Sequence, residues 1–283
     1  MMAQSSLQLG TLFARILVDG LPLQHYGIEL EGENKVTCWI PSEAGKRFSI
    51  FWEDVLQNRP NHESGRVRVD GIECGGVTLV SPVRDFLGAN RAVEMHYFHT
   101  SATTGRPFMF SDLQHTDDDA YLRSAPGELG QIVLTIWPVI ILSAGPLKLT
   151  EQPVQNQPVH ERAKKSYSHC VTFGKEEALP LTQGVCTELI SPVPLATFVF
   201  KYRSLARLIA DGIAPPPPSP RPNKRPFSDM DGGHDSGSED EAVRQVQALT
   251  ERVRQLEAEL KDRKRAAKRA RTEATDEIVD LTA

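Results

Sequence analysis

The sequence predicts a mainly β protein: an antiparallel two-layer β-sandwich over residues 1–213, followed by a disordered linker and one long C-terminal α-helix. Three observations point there. Before Ala214 the apolar residues recur with period two or in short runs bounded by turn residues, which is the strand signature. At Pro215 the composition changes abruptly to Pro and small polar residues. From Glu239 the apolar period becomes helical.

Taken in chain order, strands are expected at 12–18, 35–40, 47–52, 66–69, 76–80, 92–98, 107–110, 131–137, 169–173 and 197–202. Asp19-Gly20 and Asp70-Gly71 supply the positive φ angles that two-residue hairpins require, and Gly75-Gly76 and Gly145-Pro146 mark further turns. Short strands separated by turns fit a sandwich better than a fold that needs crossover helices. Residues 202–210, with Leu205, Leu208 and Ile209, read as a closing helix that Gly212 stops.

Residues 214–238 open with Pro215 to Pro218 and continue through a Gly, Ser and Asp stretch, so they bury too little apolar surface to offset chain entropy and form a linker. Over 239–272 an amphipathic helix turns basic. Val246, Leu249, Val253, Leu256 and Leu260 recur at alternating spacings of three and four, an a/d seam of little more than two heptads. That length leaves two readings open, a homodimer through a short coiled coil and a lone amphipathic helix docking on another surface. Residues 273–283 are a disordered tail.

Charge and cysteine usage exclude several classes. The 283-residue chain carries 32 Lys and Arg against 37 Asp and Glu, a formal net charge of -5. From Pro215 onward there are 13 basic and 14 acidic side chains, which leaves the first part net acidic and unlike a nucleic-acid binder. No apolar run approaches the roughly 18 to 20 residues of a membrane span, and the best stretch, 132–142, is short and contains Pro138. Residues 1–10 lack the basic start and apolar core of a secretory signal. Cys38, Cys74, Cys170 and Cys186 include no close pair, so a disulfide scaffold and a zinc module are both disfavoured and a reducing intracellular compartment is expected.

The tail carries the sharper signals. Residues 261–271 hold seven cations and one acid, and Lys264, Arg265, Lys268, Arg269 and Arg271 form a nuclear localisation pattern that a nuclear import adaptor binds in an acidic, Trp-lined groove. Asn223-Lys224-Arg225-Pro226 is a weaker second candidate. The competing reading is a chromatin or nucleic-acid-associated factor whose basic helix contacts phosphates. The basic run follows the apolar seam, whereas in leucine-zipper transcription factors it precedes it. Ile278, Val279, Asp280, Leu281 and Thr282 resemble a SUMO-interacting motif: an extended peptide whose apolar side chains fill a groove while Asp276, Glu277 and Asp280 face a basic rim. Its partners are SUMO or SUMO-modified proteins. Ser236 and Ser238 resemble acid-directed kinase sites and Ser219 a proline-directed one, so all three are phosphorylation candidates.

The β part offers little chemistry. His96 and His99, three apart in a strand, point to opposite faces and predict no metal site. Asp117-Asp118-Asp119, Glu53-Asp54 and Glu176-Glu177 accompany no nucleophile and base at a recognisable spacing, so no catalytic residue, metal or cofactor is expected. Gly71 to Gly76 lacks the Lys-Ser/Thr and following helix of a phosphate cradle.

An early Val-Asp-Gly hairpin with Tyr26 close behind, the stretch from Val36 to Phe48 (VTCWIPSEAGKRF), the Val69-Asp70-Gly71 turn, His160-Glu161-Arg162-Ala163-Lys164-Lys165 and the closing Phe198-Val199-Phe200-Lys201-Tyr202-Arg203-Ser204 form an ordered set. Together they resemble an uncharacterised, DUF7918-like domain found in many basidiomycete fungal proteins, over roughly residues 10–213. The resemblance implies a β-rich domain and a fungal source, and carries over no activity, cofactor or site residue. The expectation is a nuclear, non-enzymatic interaction or scaffold protein.

Overall fold

Alternating burial along the chain becomes strand after strand in the computed structural model, which describes residues 5–84, 89–117, 128–150, 159–160 and 168–216. The chain divides into two units, Met1–Ser219 and Pro220–Ala283, and the described residues all fall in the first. No helix among them is long and apolar enough to cross a membrane. The expected linker from Pro217 onward, the long helix and the tail lie outside the described residues.

The strands are β1 Leu7–Leu9, β2 Leu12–Val18, β3 Leu21–Pro22, β4 Tyr26–Leu30, β5 Lys35–Ser42, β6 Phe48–Asp54, β7 His62–Val69, β8 Ile72–Leu79 and β9 Ala92–Met95. They continue as β10 Tyr97–His99, β11 Thr104–Asp112, β12 His115–Thr116, β13 Gln131–Gly145, β14 Val159–His160, β15 His169–Phe173, β16 Glu177–Ala178, β17 Gly184–Leu189 and β18 Ala196–Ser204, before α1 Leu205–Ala210. A seven-stranded sheet has the order β4-β5-β18-β13-β7-β8, with β17 on β13. A five-stranded sheet runs β1-β2-β6-β9 with β3 on β2, a four-stranded sheet runs β10-β11-β15 with β16 on β11, and β12 pairs with β14.

Local sequence explains many of these elements. In β2, Leu12, Ala14 and Ile16 are buried and alternate with partly exposed Phe13, Arg15 and Leu17, so one face meets the core. Asp19 and Gly20, at φ 53° and 76°, turn β2 into β3 through the Val18–Leu21 pair, and Asp70 and Gly71, at φ 51° and 82°, turn β7 into β8 through Val69–Ile72. Positive φ at both central residues is the hairpin geometry that matches strand twist. Ser204 caps α1 by accepting the Arg207 amide, and Gly212, at φ 71°, ends it while its amide bonds to the Ile209 carbonyl.

One apolar cluster draws on all three larger sheets: Ile16, Ile50 and Trp52 from the five-stranded sheet, Phe108, Phe110 and Phe173 from the four-stranded one, and Ile40, Leu134, Phe198 and Phe200 from the seven-stranded one. Phe48 stacks on Phe110 at 4.4 Å between centroids, and Phe110 tilts against Tyr202 at 5.2 Å.

Several expectations need correction. The pairing is mixed rather than wholly antiparallel, because β5 and β18 run parallel from Lys35–Thr197 to Ser42–Ser204. Their long separation in sequence supplies the crossover that a parallel pair needs. Gly75-Gly76 is not a turn: both lie inside β8, beside the register shift at Arg66 to Arg68, and a side chain at Gly76 would run into the Gly65 carbonyl. The expected strand 92–98 breaks at His96, and its halves join different sheets, β9 with β6 and β10 with β11. Tyr202 belongs to β18 and not to the helix, because its ring packs inward against Phe110.

Gly65 of β7 faces Trp52 of β6, and a Cβ there would sit 2.8 Å from the indole carbons. Gly65→Ala is therefore expected to lower stability by about 1–3 kcal/mol through overpacking between the sheets. Chemical denaturation checks this, and an unchanged midpoint would show that the indole yields freely.

Candidate functional site

Three groups of inward-facing polar side chains stand out within the β domain. The first is built on Asp70. Its Oδ1 accepts the Gly130 amide at 2.7 Å, its Oδ2 accepts the Val171 amide at 2.8 Å, and the Tyr202 hydroxyl donates to both oxygens at 2.7 and 2.6 Å. The Gln131 amide adds a longer contact of 3.4 Å. Burial raises the Asp70 pKa, and the Tyr202, Val171, Gly130 and Gln131 donors oppose that rise. With its acceptor sites filled by donors of this domain, the carboxylate is engaged in holding strands.

The second group lies where β6 passes to β7. Arg59 is fully buried, and its Nη2 donates to the Val80 carbonyl at 2.8 Å and the Asn90 carbonyl at 2.6 Å. Its Nε stands 4.0 Å from Asp54 and 3.9 Å from Glu63, too long for hydrogen bonds and close enough for strong attraction in a dry interior. Ser81 closes the group, donating its hydroxyl to the Arg59 carbonyl and its amide to His62 Nδ1.

The third joins Ser42 of β5, His169 of β15 and Asp112 of β11. Ser42 Oγ is 2.8 Å from His169 Nδ1, and His169 Nε2 is 3.8 Å from Asp112 Oδ1. A nucleophilic array turns its serine to the substrate and hides its carboxylate. Here Ser42 is 6% exposed and the Asp112 side chain 84% exposed, so the order is inverted and the bond acts as a strut between sheets.

Three of the thiols are held in unreactive forms. Burial pushes Cys38 and Cys74 well up, and raises Cys170 to about 11. His25 is buried against the edge of Phe200, and burial lowers its pKa to about 4, so it is a neutral ring at pH 7.

The residues weighed in the sequence are scattered. His96 Nε2 is 3.5 Å from Glu94, between β9 and β10, while His99 ends β10. Glu53 pairs with Arg15, Glu177 with Arg47, and Glu176 accepts the Thr100 hydroxyl. Among the described residues no group of three His, Cys, Asp or Glu side chains is arranged to hold a metal ion. The tail candidates all lie outside the described residues: Val246, Leu249, Val253, Leu256 and Leu260 of the seam, Lys264, Arg265, Lys268, Arg269 and Arg271 of the basic run, Ile278 to Thr282, and Ser219, Ser236 and Ser238. Sequence reasoning missed the Asp70 centre, whose partners Gly130, Val171 and Tyr202 are 60, 101 and 132 positions away. The local Asp-Gly signal reports only the turn.

A mainly β domain with antiparallel and mixed sheets, whose inward polar groups tie strand to strand, defines the class of this protein. The sequence profile of a domain of unknown function, DUF7918, matches residues 11–217, and the chain belongs to that family. No curated protein and no solved structure matches the chain.

Tyr202→Phe removes the hydroxyl shared by both Asp70 oxygens and is expected to destabilise the domain by about 1–3 kcal/mol. Arg47→Ala, which breaks the exposed pair with Glu177, is expected to change stability by about 1 kcal/mol or less. Parallel urea titrations compare the two, and equal effects would remove Asp70 from its central place.

Proposed function

We propose that this chain is a nuclear, non-enzymatic interaction protein. In this reading residues 1–213 form a β-sandwich that serves as a partner-binding or scaffolding module, 214–238 a linker, 239–272 a helix that self-associates or docks and then turns basic, and 273–283 a SUMO-binding tail. The observation that carries it is the terminal sequence: Ile278, Val279 and Leu281 are apolar positions set among Asp276, Glu277 and Asp280. Such a segment adds as a strand to an exposed sheet edge, with backbone hydrogen bonds supplying affinity and apolar pockets supplying specificity. Val279 and Ile278 are β-branched, which lowers the ordering cost of an extended peptide.

Two further observations support the reading. The basic residues Lys264, Arg265, Lys268, Arg269 and Arg271 suit a nuclear import adaptor. On the β domain, Leu189 at the end of β17 and Ile190, Val193 and Leu195 in the connection to β18 are exposed apolar side chains that a partner protein could cover.

Isotope-labelled SUMO titrated with full-length protein is expected to show saturable shifts along one sheet edge, with a dissociation constant on the order of micromolar or weaker. A variant with Ile278, Val279 and Leu281 changed to Ala should abolish them. No shifts with the unaltered protein at high concentration would reject the tail as a SUMO reader. Independently, changing Lys268 and Arg269 to Glu in a fluorescent fusion is expected to abolish nuclear accumulation. If the same variant, carried into the nucleus by another signal, also loses salt-sensitive DNA binding, the basic helix contacts phosphates instead.

A further inference from the structure

Two carboxyl groups and a single guanidinium are sealed together between β6 and β7. The Asp54, Glu63 and Arg59 side chains are 1%, 9% and 0% exposed. A guanidinium does not release its proton in a protein, so Arg59 contributes one positive charge at any relevant pH. Two ionised carboxylates beside it leave one negative charge uncompensated in a site closed to water, and a buried group in that position takes up a proton.

The surroundings decide which carboxyl it is. Asp54 Oδ1 already accepts the Leu56 amide at 2.8 Å. Glu63 Oε2 is buried, accepts no hydrogen bond among the described residues, and has Arg59 Nε only at 3.9 Å. Among the described residues the further titratable group at the cluster is His62, whose Nδ1 accepts the Ser81 amide. Ser81 and Asn90, packed against Arg59 from beyond β8, are uncharged.

We propose that Glu63 keeps a proton at neutral pH, shared with Asp54, and that its loss on the alkaline side loosens the tie by which Arg59 joins the β6–β7 connection to Val80 and Asn90. The geometry makes Arg59 the common member of both halves. Its Nε faces the two carboxyls, and its Nη2 holds the Val80 and Asn90 carbonyls, while the Val80 amide donates to the Asn90 side chain at 2.5 Å. A second negative charge on the Nε side repels Asp54, removes the hydrogen bond between the two carboxyls and draws water toward the guanidinium. Burial, followed by the charge of Asp54 and the hydrogen bond to it, pushes the Glu63 pKa up to about 8, against the opposing pull of Arg59.

The sign of the pH dependence follows. In the folded protein Glu63 stays protonated above the pH at which it ionises in the unfolded chain. Its contribution to stability is therefore full below about pH 4.5, declines as pH rises, and is lost by the time pH has passed about 8. One proton bound by the folded state alone changes the unfolding constant by up to about tenfold per pH unit in that window.

Urea unfolding of the full chain between about pH 5 and 9 tests this. With rising pH the unfolding constant of the unaltered protein should increase relative to that of Glu63→Gln, which mimics the protonated group, by up to about tenfold per unit until about pH 8, a comparison in which the opposite contribution of His25 cancels. Parallel curves would overturn the proposal. Should Glu63→Gln fail to fold, the carboxyl 13C resonances of the unaltered protein decide directly. A Glu63 midpoint near 8 supports the proposal, and a midpoint in the ordinary carboxylate range, or a proton found on Asp54, overturns it. Exchange of the Leu56, Val80 and Ser81 amides, corrected for intrinsic rate, should accelerate above about pH 8, and unchanged protection would leave Arg59 with no part in the response.

Discussion

Four donor groups converge on one buried carboxylate, and much of the domain's register depends on them. Asp70 stands at the tip of the β7–β8 hairpin, in the left-handed conformation that Asp tolerates better than most residues. From there it receives the Gly130 amide at the approach to β13, the Val171 amide of β15 and the hydroxyl of Tyr202 in β18. The same residue thus makes the turn and ties the seven-stranded sheet to the four-stranded one. Apolar burial drives the sheets together but is non-directional, and a buried carboxylate with fixed donors discriminates against displaced arrangements because each leaves it unpaired.

The other polar groups repeat that logic at other seams. Ser42 and His169 connect β5 of the seven-stranded sheet with β15 of the four-stranded sheet. Arg59, between β6 and β7, spans the five-stranded and seven-stranded sheets and also fixes both ends of the connection from β8 to β9. Aromatic packing fills the space between these ties, with Trp52 close against Gly65 and Phe48, Phe110 and Tyr202 in contact in series. The buried polar residues are expensive to desolvate, and their geometry offsets that only in one arrangement of the sheets.

The proposed function divides along the chain in a way that follows from physics. The family to which residues 11–217 belong is one of unknown function, and the inward groups built on Asp70, Arg59 and His169 bond within the β domain. The proposed interactions of the tail instead rest on short linear patterns, a basic run and a terminal apolar segment, which are recognised by a partner's surface and need no tertiary neighbours of their own.

Linear patterns are also what sequence reading handles well. The period-two runs located ten strand regions, β2 and β15 with the bounds observed, and the Asp-Gly pairs located two tight hairpins, while the Gly10-Thr11 turn between β1 and β2 was missed. Missed were the short or exposed strands β1, β3, β4, β12, β14, β16 and β17, where there is too little alternation to register, and β4 is mostly exposed. The parallel pairing of β5 with β18, the Gly75–Gly76 bulge and the break at His96 were equally hidden, since each is settled by what lies across the sheet. Asp70 and Arg59 read locally as a turn residue and a loop cation. Local propensity and periodicity determined where the strands and turns fall, because they depend on neighbours in sequence. Which strands pair, and which charges are taken out of water, was decided by tertiary packing, because partners 60 to 132 positions apart meet only in the folded chain.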